Sequence, residues 1–266
     1  MSILTEQQKQ QFIDDGYIVV SGLISPEIVA STRDNICTAL GITLDDPATW
    51  PERKIVASLE TIDLTTPCFT SAITDIAREL VGDVVWSEYS ISPMREDLGH
   101  SPYIEGFIPV LVFPGEGPKK FEAAWPGGFH VDGMQFASLW PHKMMLVALA
   151  YLTDTTEYGG ATAVIPGSHR RTFEYWIKEG KTSPHPKELM AGIEDPQPIA
   201  MPAKAGDIIF MHHLLAHSGT SNRDDHVRIA LNSNLTSVPD CKYERKIGAP
   251  QADWSPLDWT LRTDNI

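Results

Sequence analysis

The chain has 266 residues, 42% of them hydrophobic and 21% charged, an ordinary globular composition with enough length to bury a full core. Its formal net charge of −14 argues against a nucleic-acid binder or a binder of anionic membranes, since both need clustered Lys and Arg. Highly anionic substrates such as coenzyme A thioesters are disfavoured for the same reason. In chain order, Thr5-Glu-Gln-Gln8 has the form of a capping box and predicts a helix to about Asp14, stopped by Gly16. Tyr17–Val20 reads as a strand. Ser25-Pro-Glu27 opens a second helix that runs to about Leu40 and stops at Gly41. Residues 71–81 carry apolar side chains at helical spacing and end at Gly82.

From about Val84 the pattern changes to short strands and turns. The predicted strands are Val84–Ser90, Phe107–Phe113, Met144–Leu152, Ala163–Ile165, Asp207–His212 and Val227–Leu235. Gly- and Pro-rich loops separate them, and a polar stretch from Thr172 to Pro198 reads as an inserted helix and loop. Helices first and many short strands after predict a mainly β architecture, a sandwich or jelly roll with helices packed outside. With no repeat or linker, one domain is expected over 1–266. Residues 1–82 would give a mostly helical N-terminal support, 83–240 the β core and 241–266 a C-terminal tail. The longest apolar run, Met144–Leu152, is too short to cross a bilayer, and the first residues lack the apolar core of a signal peptide. Cys37, Cys68 and Cys241 follow no metal-ligand spacing and read as idle thiols in a reducing cytosol. A soluble, cytoplasmic protein with a small-molecule substrate, and neither nucleic acid nor membrane as partner, is expected.

Four residues stand out for chemistry. His130-Val-Asp132 is followed 85 positions later by His217, and Arg228 lies eleven residues beyond that. Two imidazoles and a carboxylate can cap one face of a divalent iron and leave three adjacent positions open. Each piece alone is weak: roughly one His-x-acid pair is expected by chance in such a composition, and His130 could equally be a turn histidine bonded to backbone. Its setting, with glycines on both sides where a loop meets a strand, is where binding residues concentrate. His212 and His213 precede His217 and read as core or surface residues. In Val227–Asn234 the period of two puts Arg228, Ala230, Asn232 and Asn234 on one face. A buried guanidinium there needs an anionic partner, either a protein carboxylate such as Asp207 or the carboxylate of a bound ligand. Gly159-Gly160-Ala-Thr-Ala-Val-Ile-Pro-Gly-Ser-His169 reads mechanically as turn, short strand and turn, with Ser168 or His169 bonding nearby backbone.

The ordered set Asp15-Gly16-Tyr17, His130-Val-Asp132, Gly160 through Val-Ile-Pro-Gly-Ser-His169, Gly206-Asp207, His217 with Asn222, and Arg228 resembles the phytanoyl-CoA dioxygenase-like family of Fe(II)- and 2-oxoglutarate-dependent oxygenases. The resemblance spans about residues 5–235. It implies a double-stranded β-helix (jelly roll, cupin-like) with flanking N-terminal helices. It further implies that His130, Asp132 and His217 hold Fe(II), that Arg228 pairs with the distal carboxylate of 2-oxoglutarate, and that O2 is the oxidant. Two departures are visible: Ser218-Gly219 reverses the usual order after the distal histidine, and Ala148-Leu149 stands where many relatives place a tryptophan. Halogenating relatives carry a small residue in place of Asp132, so its presence points to oxygen transfer or another outcome of hydrogen abstraction. Tyr103, Trp125, Met134, Phe136 and Trp140 are the candidate substrate-pocket residues, with Phe107 a weaker sixth and Trp125 placed on a movable lid. They suggest a small, neutral or apolar substrate. The rival readings are a cupin-like metal-dependent isomerase or hydrolase that does not use 2-oxoglutarate, and a non-catalytic binding module.

Overall fold

The computed structural model describes residues 2–57, 61–81, 84–86, 107–123, 128–132, 146–179 and 197–237. The N-terminal helix α1 (Glu6–Asp15) starts where the sequence places it. The Thr5 hydroxyl accepts from the Gln8 N–H at 3.2 Å while the Gln8 side chain accepts from the Thr5 N–H at 2.9 Å. It stops at Gly16, whose φ of 83° suits only glycine at low cost. Strand β1 (Tyr17–Val20) follows, then α2 (Pro26–Leu40), capped by Ser25 and ended by Gly41. Two short 3-10 segments, the strand β2 (Ile55–Ala57) and α3 (Ser71–Val81) complete the N-terminal part. Ile73, Ile76, Ala77 and Leu80 form the buried stripe of α3, at the spacing of one helix face.

The remaining elements are β3 (Val84–Trp86), β4 (Ile108–Val112), β5 (Leu146–Tyr151), β6 (Thr162–Val164), α4 (Ser168–Glu179), β7 (Ile199–Met201), β8 (Ile208–His212), β9 (His217–Ser218) and β10 (Arg228–Ser237). They form two antiparallel sheets. The larger has seven strands in the order β1-β8-β5-β10-β4-β2, with β3 also paired to β10. The smaller has the order β7-β6-β9. Two facing antiparallel sheets with helices against one outer surface make the expected double-stranded β-helix. β1 and β2, from the part expected to be mostly helical, supply both edges of the large sheet.

Alternation divides each central strand between two cores. Leu146, Ala148, Ala150, Ile208, Phe210, Ile229 and Leu231 point outward into a cluster with Phe12, Ile18, Val29, Ile36 and Ile73. Val147, Leu149, Tyr151, Ile209, Met211 and Ala230 point inward, where Val164 and Met201 of the small sheet meet them. Phe107, expected as a pocket wall, belongs to the outer cluster and stacks on Phe69 with centroids 5.0 Å apart. Every other residue of β4 faces inward, and Phe107 is in phase with the outward set. The inserted helix starts at Ser168, earlier than expected, and takes in the Ser168-His169 end of the preceding turn. Among the described residues no helix is long and apolar enough to cross a membrane.

Candidate metal and co-substrate site

The strips 113–123 and 128–132 run antiparallel beside 213–222. Gly115 N–H donates to Asn222 O, Ser221 N–H to Glu122 O, and Ala123 bridges Thr220. His130 and His217 then exchange both backbone hydrogen bonds, at 2.9 and 2.8 Å, and Asp132 N–H reaches His213 O at 3.1 Å. This pairing holds the two imidazoles side by side, with centroids 4.4 Å apart. Asp132 Oδ1 lies 3.7 Å from His130 Nε2 and 3.6 Å from His217 Nε2. One donor atom from each residue falls within 4.8 Å of the others. Three donors bonded to one ion at about 2.1 Å and at right angles would stand about 3 Å apart, so small side-chain movements suffice to close the set on a metal.

The protonation states suit that use. His217 Nδ1 lies 2.9 Å from Leu215 O, a carbonyl that can only accept, so Nδ1 donates and Nε2 is the ring atom turned to Asp132. The Gly128 backbone engages the His130 ring. Burial, then the neighbouring His217, push His130 down to about 4, with Asp132 opposing. Its side chain remains 36% exposed, so solvent tempers that shift, but the ring is neutral near neutral pH. His217 lies on the two-residue strand β9. His212 and His213 are fully buried and belong to no metal-ligand cluster among the described residues.

Arg228 is 4% exposed and projects inward from the first position of β10. Its Nη1 reaches Val110 O at 3.5 Å, its Nη2 reaches Thr162 Oγ1 at 3.3 Å, and its guanidinium carbon lies 5.4 Å from the Tyr151 ring centre. Nε is buried with no hydrogen-bond partner. No carboxylate of the described residues pairs with it. Asp207, the candidate protein partner, instead accepts from the N–H groups of Gly22 and Lys204, both at 2.9 Å. A buried cation held only by neutral groups is costly unless an anion joins it. Thr162 sits two residues before Val164, which pairs across the small sheet with His217. Arg228 thus touches the strand that borders the triad, about two residues (roughly 7 Å) along it from the position paired with His217. The triad and Arg228 could hold a divalent metal and a dicarboxylate that reaches from the guanidinium to it.

Thr162 and Tyr151 were not singled out from the sequence. Thr162 lies inside the Gly160–His169 segment, but its contact with Arg228 is made across the two sheets and no spacing encodes it. The rest of that segment is architectural, as expected. Ser168 Oγ accepts from Ala216 N–H at 2.8 Å, next to His217, and His169 Nε2 lies 3.2 Å from Ile13 O. Asn222 braces the turn between β9 and β10, donating to Val112 O and His226 O at 2.9 and 2.7 Å. Gly160, with φ 80°, packs so closely on Asn222 that a Cβ would lie 3.3 Å from the Asn222 Cβ. Tyr103, Trp125, Met134, Phe136 and Trp140 lie outside the described residues.

The β-helix and its two-histidine, one-carboxylate cluster define the class as the Fe(II)- and 2-oxoglutarate-dependent oxygenases. Residues 113–230 match the profile of phytanoyl-CoA dioxygenase (PhyH). Among curated proteins, phytanoyl-CoA dioxygenase domain-containing protein 1 of Danio rerio is 22% identical, over 100% of this chain and 98% of its own length. The ectoine dioxygenase of Sphingopyxis alaskensis is 26% identical, over 89% and 73%. Among solved structures, EctD of S. alaskensis with 2-oxoglutarate and 5-hydroxyectoine superposes with a TM-score of 0.58 at 19% identity, over 89% of this chain and 77% of that one. The epimerase SnoN of nogalamycin biosynthesis, with Fe3+ and alpha-ketoglutarate, gives 0.58 at 19% identity, over 87% and 83%.

Proposed function

We propose that His130, Asp132 and His217 hold Fe(II), that Arg228 holds the distal carboxylate of 2-oxoglutarate, and that the protein oxidises a small, neutral or apolar metabolite with release of succinate and CO2. Hydroxylation, or a related outcome of C–H abstraction, is the reaction. The buried Arg228, without a carboxylate partner among the described residues, carries this reading. The bound iron would supply O2 activation, coupled to oxidative decarboxylation of the co-substrate.

The chain's own residues supply geometry and exclusion of water. Leu215 O orients the His217 ring through Nδ1 and the Gly128 backbone holds the His130 ring, so both are placed for ligation. The guanidinium, backed by the Thr162 hydroxyl and the Tyr151 ring, offers a two-pronged site for a planar carboxylate. The inward set Val147, Leu149, Val164, Met201 and Leu215 keeps the floor of the site dry. A single domain over 1–266 and a cytoplasmic setting belong to the same proposal.

Anaerobic addition of 2-oxoglutarate to the Fe(II)-loaded protein should produce a visible metal-to-ligand charge-transfer band, absent in His130→Ala. A folded, iron-loaded sample without the band would favour a metal-dependent isomerase or hydrolase. Succinate release against a panel of metabolites, ectoine first among them because several relatives are ectoine dioxygenases, then names the substrate by mass spectrometry of the product.

A further inference from the structure

The outward faces of β4 and β10 are closed: Phe107, Leu111, Ile229 and Leu231 are fully buried under the helices. The inward faces of the same strands are not. Val110 and Asn232 are partly exposed although each has a paired residue on both sides in the sheet, and Ile108, past the last described pair of β2, is partly exposed too. Inward residues in the middle of a sandwich meet solvent only where the space between the sheets is open, so a chamber lies against this wall. Asn232 stands in register with Leu149 of β5 and Ile108 of β4. Among the inward positions of β4, β5, β8 and β10, Arg228 is the one charged residue, and Asn232, with Asn234 two places further on, is a carboxamide. The Asn232 Oδ1 is buried and has no hydrogen-bond partner. An unsatisfied amide oxygen costs free energy that a leucine, flanked by Leu149 and Ile108, would not incur.

Position gives the carboxamide a use. β5 ends, and β6 begins, at the contact of Tyr151 and Thr162 with Arg228. β6 turns back over the inward face, where Val164 packs with Val147 and Leu149, and β10 is antiparallel to β5. β6 and β10 thus leave Arg228 in the same general direction, one toward His217 and the other toward Asn232. Asn232 lies beyond the co-substrate anchor, on the side of the triad.

Resting on the co-substrate reading above, we propose that Asn232 is a specificity-determining residue, whose carboxamide hydrogen-bonds the one neutral polar group of an otherwise apolar substrate. The group would be a hydroxyl, carbonyl or amide. With Arg228 taken by the co-substrate, no other charge among the described residues of this wall would hold an ionic one.

The test compares wild type with the near-isosteric Asn232→Leu and Asn232→Asp. Three probes of one shape are used, cyclohexanol, cyclohexanecarboxylate and cyclohexylammonium. Their binding is read by ligand-observed NMR on Zn(II)- and 2-oxoglutarate-loaded protein. Wild type should prefer cyclohexanol. Asn232→Leu should weaken cyclohexanol about fivefold, the worth of one neutral hydrogen bond. Asn232→Asp should move the preference to the ammonium ion. The 2-oxoglutarate charge-transfer band should survive in both Fe(II)-loaded variants, and Asn232→Leu should melt no lower than wild type. Unchanged cyclohexanol binding in Asn232→Leu overturns the proposal. So does a lower melting temperature, which would make Asn232 structural, or loss of the band in the variants alone, which would give it to the co-substrate. Absence of the band in wild type removes the oxygenase reading instead and leaves the probe preferences to be read on their own.

Discussion

Arg228 carries its charge into the sandwich against a hydroxyl, a carbonyl and an aromatic ring, and none of these neutralises it. Replacing it by methionine keeps the length and removes the uncompensated charge. Arg228→Met should weaken 2-oxoglutarate about 100-fold, or roughly 3 kcal/mol, the loss of a charge-assisted pair. Without co-substrate the variant should melt at or above wild type, because a buried charge gives way to an apolar side chain. Thermal unfolding with and without 2-oxoglutarate separates the two effects. A large loss of stability without ligand would show that the guanidinium is structural. At this scale the sequence was informative where a strand's period of two sets the side-chain direction, which is how Arg228 and Asn232 fell on one face. It was silent about Thr162, whose contact with Arg228 crosses the sandwich, and about Tyr151, whose contact with Arg228 joins two separate strands of one sheet. The preference for Asp207 as an alternative partner could be resolved only once its oxygens were seen taken by Gly22 and Lys204.

Elements with strong local punctuation were the legible ones. α1 and α2 have side-chain caps at one end and left-handed glycines at the other, so their limits are written in a few adjacent residues. β2, β7 and β9 are two or three residues long, and pairing with distant partners decides them. Gly16 shows how a local signal can also be a long-range one. A Cβ there would lie 2.5 Å from His169 Nδ1, on top of the cost of its positive φ. Gly16→Ala should therefore destabilise by about 2 kcal/mol or more in urea denaturation, where a helix end free of neighbours would lose about 1. Glu79 on α3 ties down the first residues. Burial raises its pKa, but hydrogen bonds from Ser2, the N–H groups of Ile3 and Leu4, and Lys9 outweigh this and bring it down to about 2. A carboxylate depressed in the folded state stabilises fully above its ordinary value near 4.5, and that contribution fades as pH falls toward 2. Glu79→Gln should lose most of that acid sensitivity between pH 4.5 and 2, and amide exchange at Ile3 and Leu4 should quicken at neutral pH.

Across the whole molecule, a metal on the triad would join strips that are far apart in sequence, since His130 and Asp132 belong to one and His217 to the other. Backbone pairing already aligns them: His130 with His217, and Asp132 with His213. Both rings are held by backbone groups before any ion arrives. The folded chain thus presents converging donors that the unfolded chain cannot, so binding energy appears directly as stability. At a free metal concentration about 100 times the dissociation constant the gain is about 2.7 kcal/mol. For a chain of this size that is a rise of roughly 5–10 °C in melting temperature. Anaerobic Fe(II), or Zn(II) as a redox-silent substitute, should produce the rise and a chelator should reverse it. His130→Ala and Asp132→Ala should abolish the metal response while melting within a few degrees of the metal-free wild type, because each removes a side chain that is partly exposed when no ion is bound. 2-Oxoglutarate should add a further rise only when metal is present and Arg228 intact. An equal metal response in the triad variants would locate the ion elsewhere and leave the convergence of His130, Asp132 and His217 as packing alone.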